Sequence, residues 1–457
     1  MKPLISIAIA TCLLSSASLS AREGDAHENA PPGLGAASLI VDTLSDADLQ
    51  DLINDALERN PGVAVLKARA YAAEQMAPQV GALPDPTASL TLFLLEPQTR
   101  VGPQKANAGL SQRFPWFGKL KLKEQAALLE SVASWSRVDT ARLELVTRIR
   151  DLYHQLQYLD REERIVIEDQ STLVHYEQLA QARYASGIGI GQTVIKLQAE
   201  ITQSRTRLLD IDQRRVALVA EINALRDRPA AMPFTIGAGP SSIGALPAFE
   251  SMRATALGVR PEFAEVQALI DASGLRIDLA KKNYKPDFSF GINYAWVGKR
   301  DDTAGKIIPP EGNGDDILGV TGGVNLPIWR KSLAAGVEEA VQTRLAAEES
   351  RRAIAAGIEG ALAGLAHRIP LISEQLELFE RILIPQAQES LRSAETAYAS
   401  GTAGALDLLD AERVLLVVRI ATERARTDLV IAAARLEGVL AFPLEPQYET
   451  EERHDTH

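Results

Sequence analysis

The chain has 457 residues, of which 46% are hydrophobic, so it can form the core of several ordinary domains or of one elongated body. The net charge of −12 and the pI near 5.2 exclude the basic surface that phosphate binding requires, so nucleic acid is not an expected partner. The only cysteine is Cys12, which excludes an internal disulfide.

Residues 1–21 have the three parts of a secretory signal peptide. Lys2 supplies the basic start, Leu4 to Leu14 form the apolar segment, and the small-residue sequence SLSA provides a cleavage region. Because the apolar segment is too short to span a bilayer, a cleaved signal is favoured over a membrane anchor. Lipidation at Cys12 is an alternative, although a threonine precedes it where a smaller residue is usual. We expect residues 22–44 to form a flexible mature N-terminus.

The remainder of the chain is predicted to contain two copies of one unit. Landmark residues recur in the same order, and the pairs are Pro61 with Pro261, Pro84 with Pro286, Pro115 with Pro327, Tyr184 with Tyr398, and Pro229 with Pro443. The spacing differs mainly at 298–316, whose Gly, Pro and Asp content is typical of a loop. The predicted parts are a first repeat at 45–229, a linker at 230–246, a second repeat at 247–443 and an acidic tail at 444–457.

Strands are predicted near 87–114 in the first repeat and near 287–327 in the second, from period-two alternation. Large apolar side chains of the second repeat share one face, and they are Phe288, Phe290, Ile292, Tyr294 and Trp296. Small and polar residues occupy the other face, which fits lipid outside and a water-filled lumen inside. A soluble sandwich is the alternative. Because four strands cannot enclose a lumen, either several chains share one barrel or the strands pack on the helices.

Long helices form most of each repeat. No proline occurs between Gly118 and the first YASG tetrapeptide, so one helix there could reach roughly 100 Å. Its apolar residues follow the three–four spacing of coiled-coil packing. The first helical hairpin is predicted at about 118–227 and the second at about 331–441. Pro370 and Pro385 predict kinks or breaks in the first arm of the second hairpin.

The tetrapeptide YASG ends the first arm of each predicted hairpin. Gly187 and Gly401 suit a chain reversal that needs positive φ. Asp407 and Asp410 follow the second turn, three residues apart, on one face of the return helix. Asp407 alone would be explained by the helix N-terminus, which favours an acid by about 0.3–1 kcal/mol. In several chains around one axis, both aspartates would form a carboxylate ring that selects cations.

No motif predicts catalysis, a cofactor or a strong metal site. The six histidines are scattered and do not form the H-E-x-x-H pattern. His27, His454 and His457 could bind a metal weakly, but an acidic tail with occasional histidines is the simpler interpretation. We therefore expect the chain not to be an enzyme.

The sequences LSQRFPWFGKL and GVNLPIWRKSL, together with the repeat, resemble the TolC-type family of trimeric outer-membrane efflux ducts. The resemblance extends from about Ser45 to Pro443, and the two motifs look most like the branch that serves heavy-metal cation exporters. It implies a mainly α fold with a β-barrel part. Three chains would each give four strands to one outer-membrane β-barrel, and their helical hairpins would form an α-barrel across the periplasm.

The resemblance also implies partners. The chain would form a homotrimer in outer-membrane lipid, and the YASG turns would be periplasmic tips that contact an adaptor protein through Tyr184, Gly187 and Gly401. The adaptor would connect the duct to an inner-membrane pump, here of the RND type. The localisation implied is the outer membrane, with the helical part in the periplasm.

A gate at these tips is implied as well. In the family, aspartates that match Asp407 and Asp410 constrict the closed tip, and a tyrosine that matches Tyr398 can pair with an acid in the first turn. This chain has Thr193 at the position of that acid, and it has Ala403 where some members carry an arginine. We therefore expect a weaker closed state, or one that relies on the aspartates and apolar contacts.

The predicted strand-to-helix junctions share proline and aromatic residues, and they comprise Pro115, Trp116, Gly118, Pro327 and Trp329. A proline has no N–H and can end a strand ladder, and Gly118 would permit a tight turn into the helix. The two tryptophans would lie at the lower membrane interface or pack beneath the barrel.

The function that follows is a passive exit duct of a tripartite efflux system, serving heavy-metal cations. A duct for drugs, other organic solutes or a type I secreted protein is the alternative within this class. A periplasmic coiled-coil scaffold without a pore is the alternative from another class, and the apolar strand face argues against it.

Overall fold

The computed structural model describes residues 47–237 and 243–441. The predicted signal peptide at 1–21, the mature N-terminus at 22–44 and the acidic tail at 444–457 lie outside the described residues. The same holds for Cys12, His27, His454 and His457 and for part of the predicted linker. The described chain is mainly α-helical and contains one small antiparallel sheet.

Two series of elements follow each other along the chain. The first series consists of α1 (Ala47–Arg59), α2 (Pro61–Gly81), β1 (Thr87–Leu92), β2 (Gln98–Thr99), β3 (Gly102–Phe114), α3 (Lys119–Ala185) and α4 (Gly191–Leu225). The second consists of α5 (Phe249–Val259), α6 (Pro261–Lys282), β4 (Phe288–Val297), α7 (Thr303–Ile307), β5 (Ile317–Val324), α8 (Arg330–Leu378), a π-helical turn (Phe379–Leu383), α9 (Ile384–Ser400) and α10 (Ala405–Leu440).

The long helices follow the distribution of proline. Helix α3 has 67 residues without a proline, which corresponds to about 100 Å. The predicted break at Pro385 is present as the π-helical turn directly before α9. Pro370 does not interrupt α8, because its neighbours Ile369 and Ile372 are buried in the core shared with α10 and hold the helix in place. No described helix combines the length and the apolar character needed to cross a bilayer.

The strands form one antiparallel sheet in the order β1-β3-β4-β5, and the short β2 pairs with β3. The register aligns Leu110 with Ile292 and Ile292 with Val320, so their side chains lie on the same face. These side chains are 54%, 56% and 79% exposed, respectively. On the opposite face, the Asn293 amide donates to the Thr321 hydroxyl at 2.6 Å. The sheet therefore has an exposed apolar face and a polar face.

The core is divided along the hairpins. One apolar cluster joins α1 and α2 to α3 and α4 around Leu152, and a second joins α5, α8 and α10 around Leu362. A third cluster joins the ends of both hairpins, and it consists of Leu173, Tyr176, Ala180, Leu197, Ile201, Tyr398, Leu408 and Leu409. Thus the two hairpins of one chain are packed together down to their tips.

Candidate functional site

The first hairpin tip is the turn between α3 and α4. Gly187 has a φ of +76°, which a residue with a side chain rarely adopts, as the sequence predicted. The backbone N–H groups of Ile188 and Gly189 both donate to the Arg183 carbonyl at 3.0 Å and close the turn. Tyr184 is 58% exposed and Ile188 is 74% exposed. This tip therefore presents an aromatic and an apolar side chain to its surroundings.

The second tip has a similar backbone but a different environment. Gly401 has a φ of +77°, and the N–H groups of Thr402 and Ala403 donate to the Ala397 carbonyl at 2.9 and 3.1 Å. Tyr398, unlike its counterpart in the first tip, is only 7% exposed and belongs to the apolar cluster that joins both hairpins.

Arg183 links the two tips. Its guanidinium donates to the Tyr398 carbonyl at 2.5 Å, and its central carbon lies 4.7 Å from the centroid of the Tyr398 ring. The same chain thus has a polar contact at the second tyrosine, although Thr193 and Ala403 replace the residues expected there. The sequence signal for Arg183 is its position directly before the first YASG, whereas Ala397 precedes the second YASG.

Asp407 and Asp410 are both exposed, whereas Leu408 and Leu409 between them are buried, so the aspartates face away from the core. One Asp407 oxygen accepts a hydrogen bond from the Gly404 N–H at 3.0 Å. Asp407 therefore caps the N-terminus of α10, which is the simpler of the two predicted roles. Asp410 forms no ion pair with the described part of the chain. A role for both residues in a gate stays a prediction.

The strand-to-helix junctions converge on Asp287, which precedes β4. Its carboxylate accepts hydrogen bonds from Lys119 Nζ at 2.7 Å, from Arg113 at 2.8 Å and from the Trp116 N–H at 2.9 Å. The side chains of Asp287 and Lys119 are 9% and 8% exposed. Burial alone would raise the pKa of Asp287, but these bonds outweigh it and lower the pKa to about 2.

Asp287 was not among the predicted site residues. The signal that could have identified it is the Pro-Asp pair that recurs at Pro84 and Pro286. The aspartate of the earlier Pro-Asp pair, Asp85, is exposed. The later Pro-Asp pair therefore provides a buried carboxylate that joins the strand-to-helix junctions, whereas the earlier pair does not.

The predicted junction residues occupy distinct environments. Pro115 directly follows β3, and Pro327 lies three residues after β5. Gly118 has a φ of +80°, a backbone conformation that side-chain-bearing residues rarely adopt, so glycine is favoured at this turn into α3.

The two tryptophans of the junctions differ. Trp116 stacks on Phe288 with 5.7 Å between ring centroids. Trp329 is 77% exposed. The first tryptophan thus packs against the first residue of β4, whereas the second is exposed.

In the described ranges, no group of three or more His, Cys, Asp or Glu side chains is arranged to hold a metal ion.

Comparisons with known proteins agree with this architecture. A family model described as "Outer membrane efflux protein" matches residues 52–225 and 253–441. No match was found among curated protein sequences.

Three solved structures illustrate the similarity of fold. The outer-membrane channel OprN has a TM-score of 0.72 at 17% identity, covering 89% of this chain and 93% of that chain. The outer membrane protein VceC from Vibrio cholerae has a TM-score of 0.71 at 19% identity, covering 87% and 97%. The open state of the Neisseria gonorrhoeae outer membrane channel MtrE has a TM-score of 0.69 at 19% identity, covering 87% and 90%. At such identities the similarity shows the fold alone.

Proposed function

The chain belongs to the outer membrane efflux protein family and is an outer-membrane efflux channel, and we propose that three copies of it form a passive exit duct for heavy-metal cations. Proteins of this family are channel components rather than enzymes and work with an adaptor and an inner-membrane pump. The duct itself supplies no energy in this proposal. It provides a water-filled path for solute that the pump has moved.

The observation that carries the proposal is the open sheet. Within the described residues, β1 pairs only with β3 and β5 pairs only with β4, so both outer edges present free N–H and C=O groups. Pairing β1 of one copy with β5 of the next removes every free edge when the ring closes. The exposed apolar face then meets lipid, and the face with Asn293 and Thr321 lines the lumen.

The helices support the same assembly. Leu209 and Val216 on α4 are 71% and 62% exposed, and Leu371 on α8 is 53% exposed. Exposed apolar side chains along helices of this length need covering partners. In the proposed trimer, neighbouring hairpins cover them and form a helical wall across the periplasm. The two predicted repeats, 45–229 and 247–443, would each supply one hairpin and two long strands to this wall.

At the tips, we propose that the contact between Arg183 and Tyr398 holds the closed state together with the Asp407 and Asp410 carboxylates. Arg183 lies in the first hairpin and Tyr398 in the second, so their contact opposes separation of the hairpins. The exposed Tyr184, with Gly187 and Gly401 in the two turns, would contact the adaptor.

Heavy-metal cations are the proposed cargo for two reasons. The motifs LSQRFPWFGKL and GVNLPIWRKSL resemble the cation-exporter branch, and the exposed aspartates at the tip favour cations over anions. The partner pump would then be of the RND type.

The test is deletion of the chain from its native host, followed by measurement of growth with heavy-metal salts and with organic drugs. We expect lost metal tolerance, restored by the native chain and by Thr321→Arg. Val320→Arg should not restore it, because an arginine on the lipid face costs about 2–4 kcal/mol near the membrane centre. Unchanged metal tolerance with lost drug tolerance would contradict the assignment of heavy-metal cations as the cargo. Equal function of both arginine variants would overturn the orientation of the sheet.

A further inference from the structure

The two hairpins of one chain are joined by a series of polar contacts between α3 and the second hairpin. Each contact brings together complementary groups at 2.5–3.7 Å, and the pairs are Arg150–Glu437, Asp151–Arg435, Arg161–Glu423, Glu168–Arg419 and Tyr176–Glu395. Charged groups between packed helices need partners of this kind, because a buried charge without a partner is strongly destabilising.

One position in this series brings two acids together. Asp169 of α3 and Glu412 of α10 are within hydrogen-bonding reach of each other, and they are only 5% and 6% exposed. The Oε2 atom of Glu412 is buried, and no N–H or O–H of the described residues donates to it in this arrangement. A buried carboxylate oxygen without a donor is costly, and so is a second negative charge beside it.

The charged groups around the pair do not supply a dedicated cation. Arg419 of α10 is paired with Glu168 of α3, and Arg207 of α4 lies 4.0 Å from Glu162. The remaining groups that face the pair are Glu200 of α4, which is paired with Arg413, and Glu395 of α9, which accepts from the Tyr176 hydroxyl. Additional acids thus surround the pair, and each nearby arginine is engaged by another carboxylate.

We propose that Asp169 and Glu412 bind one proton between them, and that this shared proton is a pH-sensitive link between the two hairpins. With the proton present, one carboxyl donates a hydrogen bond to the other, and the pair carries one negative charge instead of two. When the proton leaves, two buried carboxylates repel each other across the contact between α3 and α10.

The direction of the pH dependence follows from the environment of the two acids. Burial, together with the negative charge of Asp169, raises the pKa of Glu412 to about 7, and burial also raises the pKa of Asp169. A raised pKa in the packed state means that the link is fully formed below the ordinary carboxyl range. It is lost as the pH rises towards and through about 7. The hairpins are therefore expected to separate at this level as the pH rises.

The effect of the link on a pore rests on the proposed function, so the first measurement does not depend on conduction. Nitroxide labels on Ala199→Cys of α4 and Val414→Cys of α10 report the distance between the hairpins in the full-length protein in lipid. Both native side chains are exposed, and Cys12 is the only native cysteine. In the native chain, we expect the distance distribution to lengthen between about pH 5 and about pH 8.

Glu412→Gln is the main variant, because its amide donates permanently to Asp169 and replaces the proton. We expect it to lose the pH dependence and to keep the short distance throughout. Asp169→Asn should behave in the same way and serves if the first variant does not fold. Glu395→Gln is the matched control, since it removes a neighbouring carboxylate but leaves the pair intact. It should retain the pH dependence.

A distance that is constant with pH in the native chain, or pH dependence that persists in both amide variants, would overturn the proposal. Conductance of the same samples in planar bilayers separates the two claims. A pH-dependent distance in a protein that conducts at no pH would contradict the proposed duct and support the link. A conducting protein with a constant distance would contradict the link and leave the duct intact.

Discussion

The two YASG turns share a backbone path but place their tyrosines in different environments. Tyr184 and Tyr398 occupy equivalent places in two YASG turns with nearly equal glycine φ angles, yet the first is 58% exposed and the second 7%. The local motif determines the path of the backbone, because only the glycine must adopt positive φ. The environment of Tyr398 is determined by distant residues, since Arg183 stacks on its ring and the apolar cluster between the hairpins surrounds it.

The Pro-Asp pairs show the same divergence. Asp287 is buried and accepts from Lys119, Arg113 and a backbone N–H, whereas Asp85 is exposed. In both cases the later residue, Tyr398 or Asp287, is buried, and the earlier one, Tyr184 or Asp85, is exposed. Asp85 and Tyr184 therefore serve as matched controls for changes at Asp287 and Tyr398.

The largest effect is expected for Asp287→Asn. The change leaves Lys119 buried without its acid, which costs roughly 3–5 kcal/mol. Thermal unfolding of the detergent-solubilised protein should occur at a markedly lower temperature. The matched change Asp85→Asn should leave the unfolding temperature where it is, and equal effects of the two changes would refute the asymmetry.

Alanine substitutions at Tyr398 and at Tyr184 should differ in their effect on stability nearly as much as the changes at Asp287 and Asp85. Tyr398→Ala removes a buried aromatic ring from the cluster between the hairpins, at a cost of about 3 kcal/mol. Tyr184→Ala removes an exposed ring and should stay within about 0.5 kcal/mol. The free energy of unfolding from denaturant titration measures both. Tyr398→Phe should resemble the native chain, because the Arg183 contacts involve the carbonyl and the ring rather than the hydroxyl.

At low pH, the contribution of Asp287 to the free energy of unfolding should fall by about 2 kcal/mol. Its pKa is lowered from 3.8 to about 2, so its contribution is present above the ordinary value and is lost as the pH falls through about 2. The difference in unfolding free energy between the native chain and Asp287→Asn should therefore shrink with falling pH. A difference that stays constant down to about pH 2 would contradict the assigned cause.

Arg183→Ala tests the link between the tips. Loss of a charged hydrogen bond at a partly exposed site costs about 1.5 kcal/mol, and closed-state conductance in planar bilayers should rise. Arg183→Lys keeps the charge but cannot reproduce the planar stacking, so it should fall between the native chain and the alanine variant. Unaltered conductance in the alanine variant would remove this contact from the gate.

The smallest effect concerns Asp407. Asp407→Ala removes the cap on α10 and should cost about 0.3–1 kcal/mol, whereas Asp407→Asn keeps an acceptor for the Gly404 N–H. Asp410→Asn removes the negative charge of a residue that does not cap the helix. Reduced cation preference in both asparagine variants, measured by reversal potential, would support the predicted ring. Unchanged cation preference when Asp407→Asn and Asp410→Asn are combined would leave helix capping as the role of Asp407.

Much of the architecture could be predicted from local patterns. The alternation from Phe288 to Trp296 predicted β4, the proline-free stretch predicted α3, and the glycines of YASG predicted both turns with positive φ. Each of these signals depends on neighbours within a few residues, so it is visible in the sequence.

The site could be predicted less well because its contacts join distant parts of the chain. Arg183 meets Tyr398 across 215 positions and Lys119 meets Asp287 across 168, and neither pairing leaves a local pattern. The predicted break at Pro370 was also wrong, because Ile369 and Ile372 of α8 are buried in the core shared with α10, and such long-range packing is not visible in the local sequence. Burial of Asp169 against Glu412 likewise depends on how two hairpins pack.

The most direct test of the central claim is native mass spectrometry of the protein released from outer membranes by detergent, with conductance measured on the same preparation. The proposal predicts an assembly of three chains that conducts ions. A single chain that remains in solution after detergent is removed, and that forms no pore, would contradict it.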